Sequence, residues 1–161
     1  MIKKITILKD TREPTEIYNF DDFEDTVIIY RSMLNVGDYS IFGYENEIML
    51  ERKGLGDLVS SFIGDHRQNF QEMWERTEQS LRFLMIEGNP TEAFTGNYRS
   101  EFHPNSLLGS LLSWQIKYHF NWFFVDNAFS GQKAIFWLFK EFLRLKQNIK
   151  EAENESRINK N

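Results

Sequence analysis

Two carboxylates and an amine stand at the ends of two neighbouring strand-like segments, and they are the side chains best suited to chemistry. Asp38 opens the first segment, and Glu51 and Lys53 close the second. A hairpin would bring Asp38 beside Glu51. Strand alternation would place Glu51 and Lys53 on one face and point Arg52 to the other. Carboxylate oxygens suit Mg²⁺ or Mn²⁺, and a lysine can orient water or offset phosphate charge. The pattern predicts metal-dependent phosphodiester hydrolysis; ordinary charged strand ends beside a Gly-Asp turn are the alternative.

The elements that must position these groups follow from hydrophobic periodicity and turn signals. Strands are expected at 5–10, 26–30, 38–44, 47–53, 82–87 and 121–126, and helices at 57–63, 66–81, 106–118 and 130–147. Segment 26–30 is β-branched and predicts a buried strand, segment 20–25 a helical turn or loop, and segment 88–105 a loop. The alternation of strands and helices predicts an α/β domain, with a mixed central sheet flanked by helices.

Composition limits the class of protein. The chain has 161 residues, 41% of them hydrophobic and 16% aromatic, which indicates a single globular domain rather than a disordered chain. It has no cysteine, which excludes disulfides and thiolate metal sites. Its apolar runs are too short for a membrane span, and a signal-peptide pattern is lacking, so a cytoplasmic protein is expected. The net charge of −5 predicts weak affinity for plain duplex DNA or dependence on a partner protein.

The order of these residues resembles a known nuclease signature. The GD…ERKxxxD pattern of the XPF family of structure-specific DNA endonucleases is matched by Gly37-Asp38, Glu51-Arg52-Lys53 and Asp57. Further agreement comes from Asp10-Thr11-Arg12-Glu13 with the family's DxRE segment, from Arg67 and Gln71 on the following helix, and from Leu84-Met85-Ile86-Glu87 with its LLIE strand. The resemblance extends over roughly residues 5 to 145. It implies a restriction-endonuclease-like core of the PD-(D/E)xK group.

The resemblance also implies roles for individual residues. The catalytic set would be Asp10, Glu13, Asp38, Glu51, Arg52, Lys53 and Asp57, and the metal ligands Asp10, Asp38 and Glu51. DNA contacts would come from Arg12, Arg67 and Gln71. Some alternatives stay open: Asp57 is also a suitable helix N-cap, and Arg67 and Gln71 are also typical of a solvated helix face. Asp10 and Glu13 could form an ordinary polar strand exit.

The function expected from this pattern is a Mg²⁺- or Mn²⁺-dependent endonuclease of branched, flap or fork DNA, in repair or recombination. The alternatives are a non-catalytic nuclease-fold subunit that binds DNA or scaffolds a partner, and a nuclease of plain duplex DNA. The helix at 130–147 is apolar well beyond one face, and the family dimerises through its C-terminal helices, so a homodimer is expected. Residues 1–149 would form the nuclease domain, and the polar segment 150–161 a disordered tail.

The resemblance has one gap. The tandem helix-hairpin-helix module that usually follows this nuclease core has no counterpart after Leu145. A stand-alone nuclease core of prokaryotic, viral or mobile-element type is therefore expected, and a partner protein could supply the missing DNA binding.

Overall fold

Six strands form one sheet in the order β2-β1-β3-β4-β5-β6 in the computed structural model, which describes residues 4–158. The strands are β1 Ile5–Asp10, β2 Val27–Ser32, β3 Tyr39–Ile41, β4 Ile48–Gly54, β5 Leu81–Glu87 and β6 Asn121–Val125. The helices are α1 Leu55–Ser60, α2 Gly64–Glu75, α3 Pro90–Thr95, α4 Pro104–Tyr118 and α5 Ala128–Ile158, with a short 3-10 helix at Asp21–Phe23.

The sheet is mixed, as the sequence predicted. β1 pairs with β2 in parallel, and β4, β5 and β6 are parallel to one another. β3 is antiparallel to both β1 and β4, which confirms the hairpin. The first hairpin strand is shorter than expected, because the chain turns after Ile41 with Gly43 at a φ of 83°. That conformation costs least for glycine.

Two hydrophobic layers cover the sheet. The helices α1 to α4 enclose one core, into which β4 directs Met49 and β5 directs Leu84 and Ile86. Helix α5 covers the other face, where Ile48, Leu50 and Met85 lie. This division follows from strand alternation, because successive residues of β4 point into opposite layers.

Strand β2 differs from its predicted burial. It is the edge strand of the sheet, and Ile28 and Tyr30 are 47% and 58% exposed. A β-branched run shows that a segment favours strand geometry, but burial also depends on what packs over the sheet.

Helix boundaries also differ from the sequence-based expectation. α1 begins at Leu55 with Gly54 as its N-cap, so Asp57 lies in the first turn and is not the cap. α2 ends at Glu75, six residues earlier than predicted. The segment 88–105 is not wholly a loop, because it contains α3, capped by the Asn89 side chain. α4 begins at Pro104, two residues before the predicted start, with His103 as its N-cap.

The C-terminal helix is longer than predicted. α5 continues to Ile158, where a disordered segment from residue 150 was expected, and residues 159–161 lie outside the described part of the chain. Glutamate, lysine and glutamine favour helix even without a core, and pairs such as Gln147 with Glu151 link successive turns. None of the helices in residues 4–158 has the length and hydropathy of a membrane-spanning segment.

Candidate active site

A cleft of about 550 Å³ opens at the end of the sheet where the central strand β4 finishes and α1 begins. Six of the seven predicted catalytic residues line it, and only Asp10 does not. The lining residues are Glu13, Asp38, Glu51, Arg52, Lys53, Asp57, Ser60, Ser61 and His66. Residues far apart in sequence therefore meet at one place. Their catalytic roles stay predictions.

Asp38 is held in place by the backbone of β4. Its N–H donates to the Leu50 carbonyl, and its Oδ2 accepts from the Arg52 N–H, both at 2.8 Å. The two bonds bracket Glu51, so the hairpin places the two carboxylates side by side. Gly37 makes this approach possible, because its φ is 74° and an added Cβ would lie 2.9 Å from the Met49 side chain.

Both carboxylates resist ionisation. Burial raises the pKa of Asp38 well above its usual range, and the negative charges of Glu51 and Glu13 raise it further. Burial also raises the pKa of Glu51, although the ammonium of Lys53 opposes that rise. Two acids that repel each other in one cleft are a site where a cation would relieve the repulsion.

Lys53 lies on the same side of β4 as Glu51. Its Nζ is 3.3 Å from Glu51 Oε1 and 4.8 Å from the centre of the Phe70 ring. The lysine is four-fifths buried, so the aromatic ring and the carboxylate together restrict where its amine can go. The amine therefore faces the same cleft as both carboxylates, as strand alternation predicted.

Asp10 differs from the other acids. Its side chain is fully buried, and its oxygens accept hydrogen bonds from Arg12 Nε at 2.6 Å and from the backbone N–H of Leu34 at 2.7 Å. Burial alone would raise its pKa, but the hydrogen bonds from Arg12 and Leu34 outweigh that effect and lower it. Asp10 orients Arg12 and the 33–36 segment, and its oxygens do not face the cleft. Its assignment as a metal ligand receives no support from this geometry.

Arg52 occupies the opposite face of β4 and braces the acids there. Its Nε donates to Glu13 Oε2 at 2.8 Å, and its Nη1 lies 3.5 Å from Glu87. Burial would lower the pKa of the guanidinium, but Glu13 more than compensates and raises it. Tyr39 and Tyr18 complete the network by donating to Glu13 at 2.9 Å and to Glu87 at 2.7 Å.

Asp57 and three residues that the sequence left unassigned form the other wall of the cleft. Asp57 reaches it from the first turn of α1, Ser60 and Ser61 from the end of that helix, and His66 from the start of α2. His66 was missed because a single histidine without a partner is a weak candidate for a metal ligand. These three residues could have been found from their positions in the sequence, because they follow the ERK motif closely, within or soon after the short helix α1.

Arg67 and Gln71 do not line the cleft. Arg67 packs its guanidinium against the Trp114 ring, 5.0 Å from the centroid, and donates to Ser110 at 3.3 Å. Gln71 donates to Glu75 at 2.8 Å along its own helix. Arg67 thus links α2 to α4. The DNA-binding role of both residues stays a prediction, as does that of Arg12, whose side chain is 68% exposed.

Comparison with known proteins assigns the chain that carries this cleft to a family. The ERCC4 domain matches residues 10–132, which contain every lining residue of the cleft. The chain belongs to the ERCC4 (XPF) nuclease family. That membership confirms the resemblance on which the sequence analysis depended.

Solved structures agree with this ERCC4 assignment at the level of fold. The chain is similar to XPF from Aeropyrum pernix, with a TM-score of 0.71 and 20% identity over 91% of this chain and 69% of that one. A structure of XPF from Aeropyrum pernix in complex with DNA gives the same score and identity, over 88% of this chain and 66% of that one. The chain thus spans about two thirds of the length of these proteins. No curated protein matched its sequence. The mixed sheet with flanking helices is the restriction-endonuclease-like fold of the XPF nuclease domain.

Proposed function

We propose that this ERCC4 domain is a divalent-metal-dependent endonuclease that hydrolyses phosphodiester bonds in branched, flap or fork DNA. The observation that carries the proposal is the convergence of Asp38, Glu51 and Lys53 in one open cleft. A purely structural ion-pair network would match each carboxylate with a cation. Here Lys53 is 3.3 Å from Glu51, but no side-chain cation is within ion-pair distance of Asp38 in residues 4–158.

The donor set fits Mg²⁺ or Mn²⁺. In the described part of the chain, no three His, Cys, Asp or Glu side chains are grouped as a complete metal site. Mg²⁺ commonly uses one or two carboxylates, keeps several waters and completes its shell with substrate phosphate. Asp38 and Glu51 would supply these two carboxylates, and the ion would serve as a Lewis acid that withdraws charge from the phosphate. Asp10 would act on the site only indirectly, through Arg12 and the 33–36 segment.

The protein residues then have distinct roles. Lys53 positions the attacking water and offsets negative charge on the phosphate, because its amine shares the face of Glu51. The water displaces the 3′ oxygen at phosphorus. Arg52 and Glu13 keep the end of β4 rigid through their buried pair, so that Glu51 and Lys53 keep their relative positions. Asp57 lines the opposite wall, and its backbone carbonyl accepts a hydrogen bond from the Ser61 hydroxyl at 2.7 Å.

DNA as the substrate is supported by three observations. The chain belongs to a nuclease family, and a structure similar to it is described as XPF in complex with DNA. Arg12 is an exposed cation close enough for Asp38 and Glu51 to raise its pKa, after the larger effect of its hydrogen bond to Asp10. It is thus placed to contact phosphate beside the cleft. Preference for branched DNA is part of the proposal and follows from the family.

We also propose that the protein is a homodimer that pairs through α5. Exposed apolar side chains continue along this helix beyond Phe142, its last buried residue, with Leu145 and Ile149 52% and 55% exposed. These two residues and Phe142 repeat at spacings of three and four, which is the spacing of a helix-pairing seam. A second copy would cover this stripe, and a different partner protein is the competing occupant.

The experiment that tests the function is a panel of labelled duplex, flap, fork and four-way DNA, incubated with Mg²⁺, Mn²⁺ or EDTA. Cleavage of the branched substrates with either metal ion, and its loss in Asp38→Asn and Lys53→Met, is the expected result. Glu78→Gln, an exposed acid away from the cleft, is the matched control. Equal cleavage of plain duplex would favour the duplex-nuclease alternative. DNA binding without cleavage of any substrate would favour the scaffold alternative.

A further inference from the structure

A second cavity lies at the opposite end of the sheet from the candidate active site. It has a volume of about 450 Å³ and is formed by the start of β1, the turn after β3 and one side of α5. We call it the basic groove. β1 runs from Ile5 at this groove to Asp10 beside the catalytic cleft, so the two sites are about 17 Å apart along that strand.

The groove concentrates positive charge in an acidic protein. Four of its lining residues are cations, and its described lining contains no acidic side chain, although the whole chain has a net charge of −5. The cations are Lys4, Lys140, Arg144 and Lys150. Such a separation of charge favours a polyanionic ligand.

The neighbouring acids leave this charge largely unneutralised. Arg144 pairs with Glu141 at 2.8 Å, but both side chains are about half exposed, and such surface pairs are weak. Lys4 donates to a backbone carbonyl, that of Glu24, so its charge is not offset by a carboxylate there. Lys140 lies over the rings of Phe136 and Trp137, at 5.5 and 4.5 Å.

The floor of the groove is apolar and aromatic. Phe136, Leu143 and Tyr44 line it, and because Phe136 is buried and lies under Lys140, Tyr44 is the ring that a ligand can reach. Tyr44 is fixed edge-on against Phe142, at a centroid distance of 5.2 Å, so its ring is a rigid element of the floor. Cations that follow a phosphate backbone above aromatic rings are typical of single-stranded nucleic acid sites, because unpaired bases can stack. A duplex keeps its bases inside and offers only phosphates.

We propose that the basic groove binds a single-stranded arm of the DNA that the catalytic cleft cuts. The inference rests on the proposed endonuclease function, because a DNA substrate is then the polyanion that this protein binds. Binding in the groove would let the protein recognise an unpaired strand at a fixed distance from the scissile bond. The apolar stripe of Leu145 and Ile149 does not line the groove, so dimerisation through α5 leaves the groove open.

The test is fluorescence anisotropy of labelled dT20 and of a 20-base-pair duplex with the whole chain in EDTA, over a salt series. In EDTA no cleavage occurs, so the result is independent of whether the cleft is a nuclease. Lys140→Glu with Arg144→Glu should weaken dT20 binding about ten-fold or more and reduce its salt slope by about 1.4, since each lost phosphate contact on a single strand removes ~0.7. Lys140→Arg with Arg144→Lys should keep both quantities.

The matched control reverses two cations on the other side of the sheet, Arg76→Glu with Lys117→Glu, which changes the net charge equally. It should leave dT20 affinity within about two-fold, since a remote exposed charge acts only through the screened field. Equal weakening by the control, equal weakening of the duplex, or tighter binding of poly-glutamate than of dT20 would each overturn the proposal. Tyr44→Leu, which removes the ring and keeps apolar bulk, should weaken dT20 more than the duplex.

Discussion

Asp38 Oδ2 accepts a hydrogen bond from the backbone N–H of Arg52 at 2.8 Å. Through this bond Asp38, which precedes β3, is tied to the strand residue that follows Glu51. The two carboxylates are held together although the negative charge of Glu51 raises the pKa of Asp38, after the larger effect of burial. The arrangement stores electrostatic repulsion in the folded protein. A site of this kind becomes more stable when the repulsion is removed, either by neutralising one acid or by binding a cation.

Asp38→Asn should therefore stabilise the protein at neutral pH while removing cleavage. An acid whose folded pKa is raised binds more protons folded than unfolded, so wild-type stability falls as pH rises from about 4 through the folded pKa. The variant should lose most of this fall and gain of the order of 1 kcal/mol at pH 7. Chemical denaturation from pH 4 to 8 measures it. A less stable variant at pH 7, with unchanged pH dependence, would contradict the repulsion.

Mg²⁺ should raise the melting temperature of the wild-type protein in the absence of DNA, because a ligand that binds only the folded state stabilises it. The effect should grow as pH rises from 5 to 8, since protons and the metal ion compete for Asp38 and Glu51. Asp38→Asn and Glu51→Gln should abolish this increase in melting temperature. Asp10→Asn should leave most of the increase, because Asp10 acts on the site only through Arg12 and the 33–36 segment. Thermal unfolding in EDTA alone, and in EDTA with a ten-fold excess of Mg²⁺, distinguishes these outcomes.

Arg52→Ala should be far more destabilising than a comparable surface change. It would leave the buried Glu13 carboxylate without its main partner and remove a cation over the Tyr18 ring, at a cost of about 3–5 kcal/mol. Arg144→Ala breaks an exposed pair of similar length and should cost at most about 0.5 kcal/mol. Urea unfolding of both variants makes the comparison, and similar losses would show that the Glu13–Arg52 pair does not brace the strand.

Gly131→Ala should disturb the candidate active site from the far side of the sheet. A Cβ at Gly131 would collide with the Tyr18 hydroxyl, which donates to Glu87 at 2.7 Å. Tyr18 would have to move, and Glu87 and Arg52 with it, so cleavage should fall about ten-fold or more, since small misplacements of a site are costly. Tyr18→Phe in the same background removes the colliding oxygen and should recover part of the activity. Gly109→Ala, where an added Cβ meets open space, is the control.

Replacing the apolar stripe of Leu145 and Ile149 on α5 should abolish self-association without unfolding the domain. Leu145→Glu with Ile149→Glu places charges where the helix has already left the core, so the melting temperature of the monomer should change little. Sedimentation should then show a monomer in place of the dimer. Lys133→Glu, an exposed α5 residue before the stripe, is the control. A wild-type protein that is monomeric at every concentration would exclude the homodimer and leave the stripe to another partner.

The amino-acid sequence by itself determined the order of the strands and of every helix except α3, the mixed sheet and the hairpin that joins Asp38 to Glu51. Each of these follows from local periodicity, turn residues and strand alternation. It also placed Lys53 and Arg52 on opposite faces, since alternation has a fixed period of two. The resemblance to the XPF family was recognised from motifs in these same short segments, and the family match over residues 10–132 confirmed it. These features are local, or follow from one antiparallel pairing.

Tertiary structure decided what depends on several elements meeting. It turned Asp10 inward to Arg12 and Leu34, brought His66 to the cleft, directed Arg67 towards α4 and left β2 exposed at the edge. It also gathered Lys4 with three cations of α5, which are more than 130 positions away in the chain. No local pattern encodes these outcomes, because hydrogen bonding, burial and charge proximity depend on which distant surface packs against each residue.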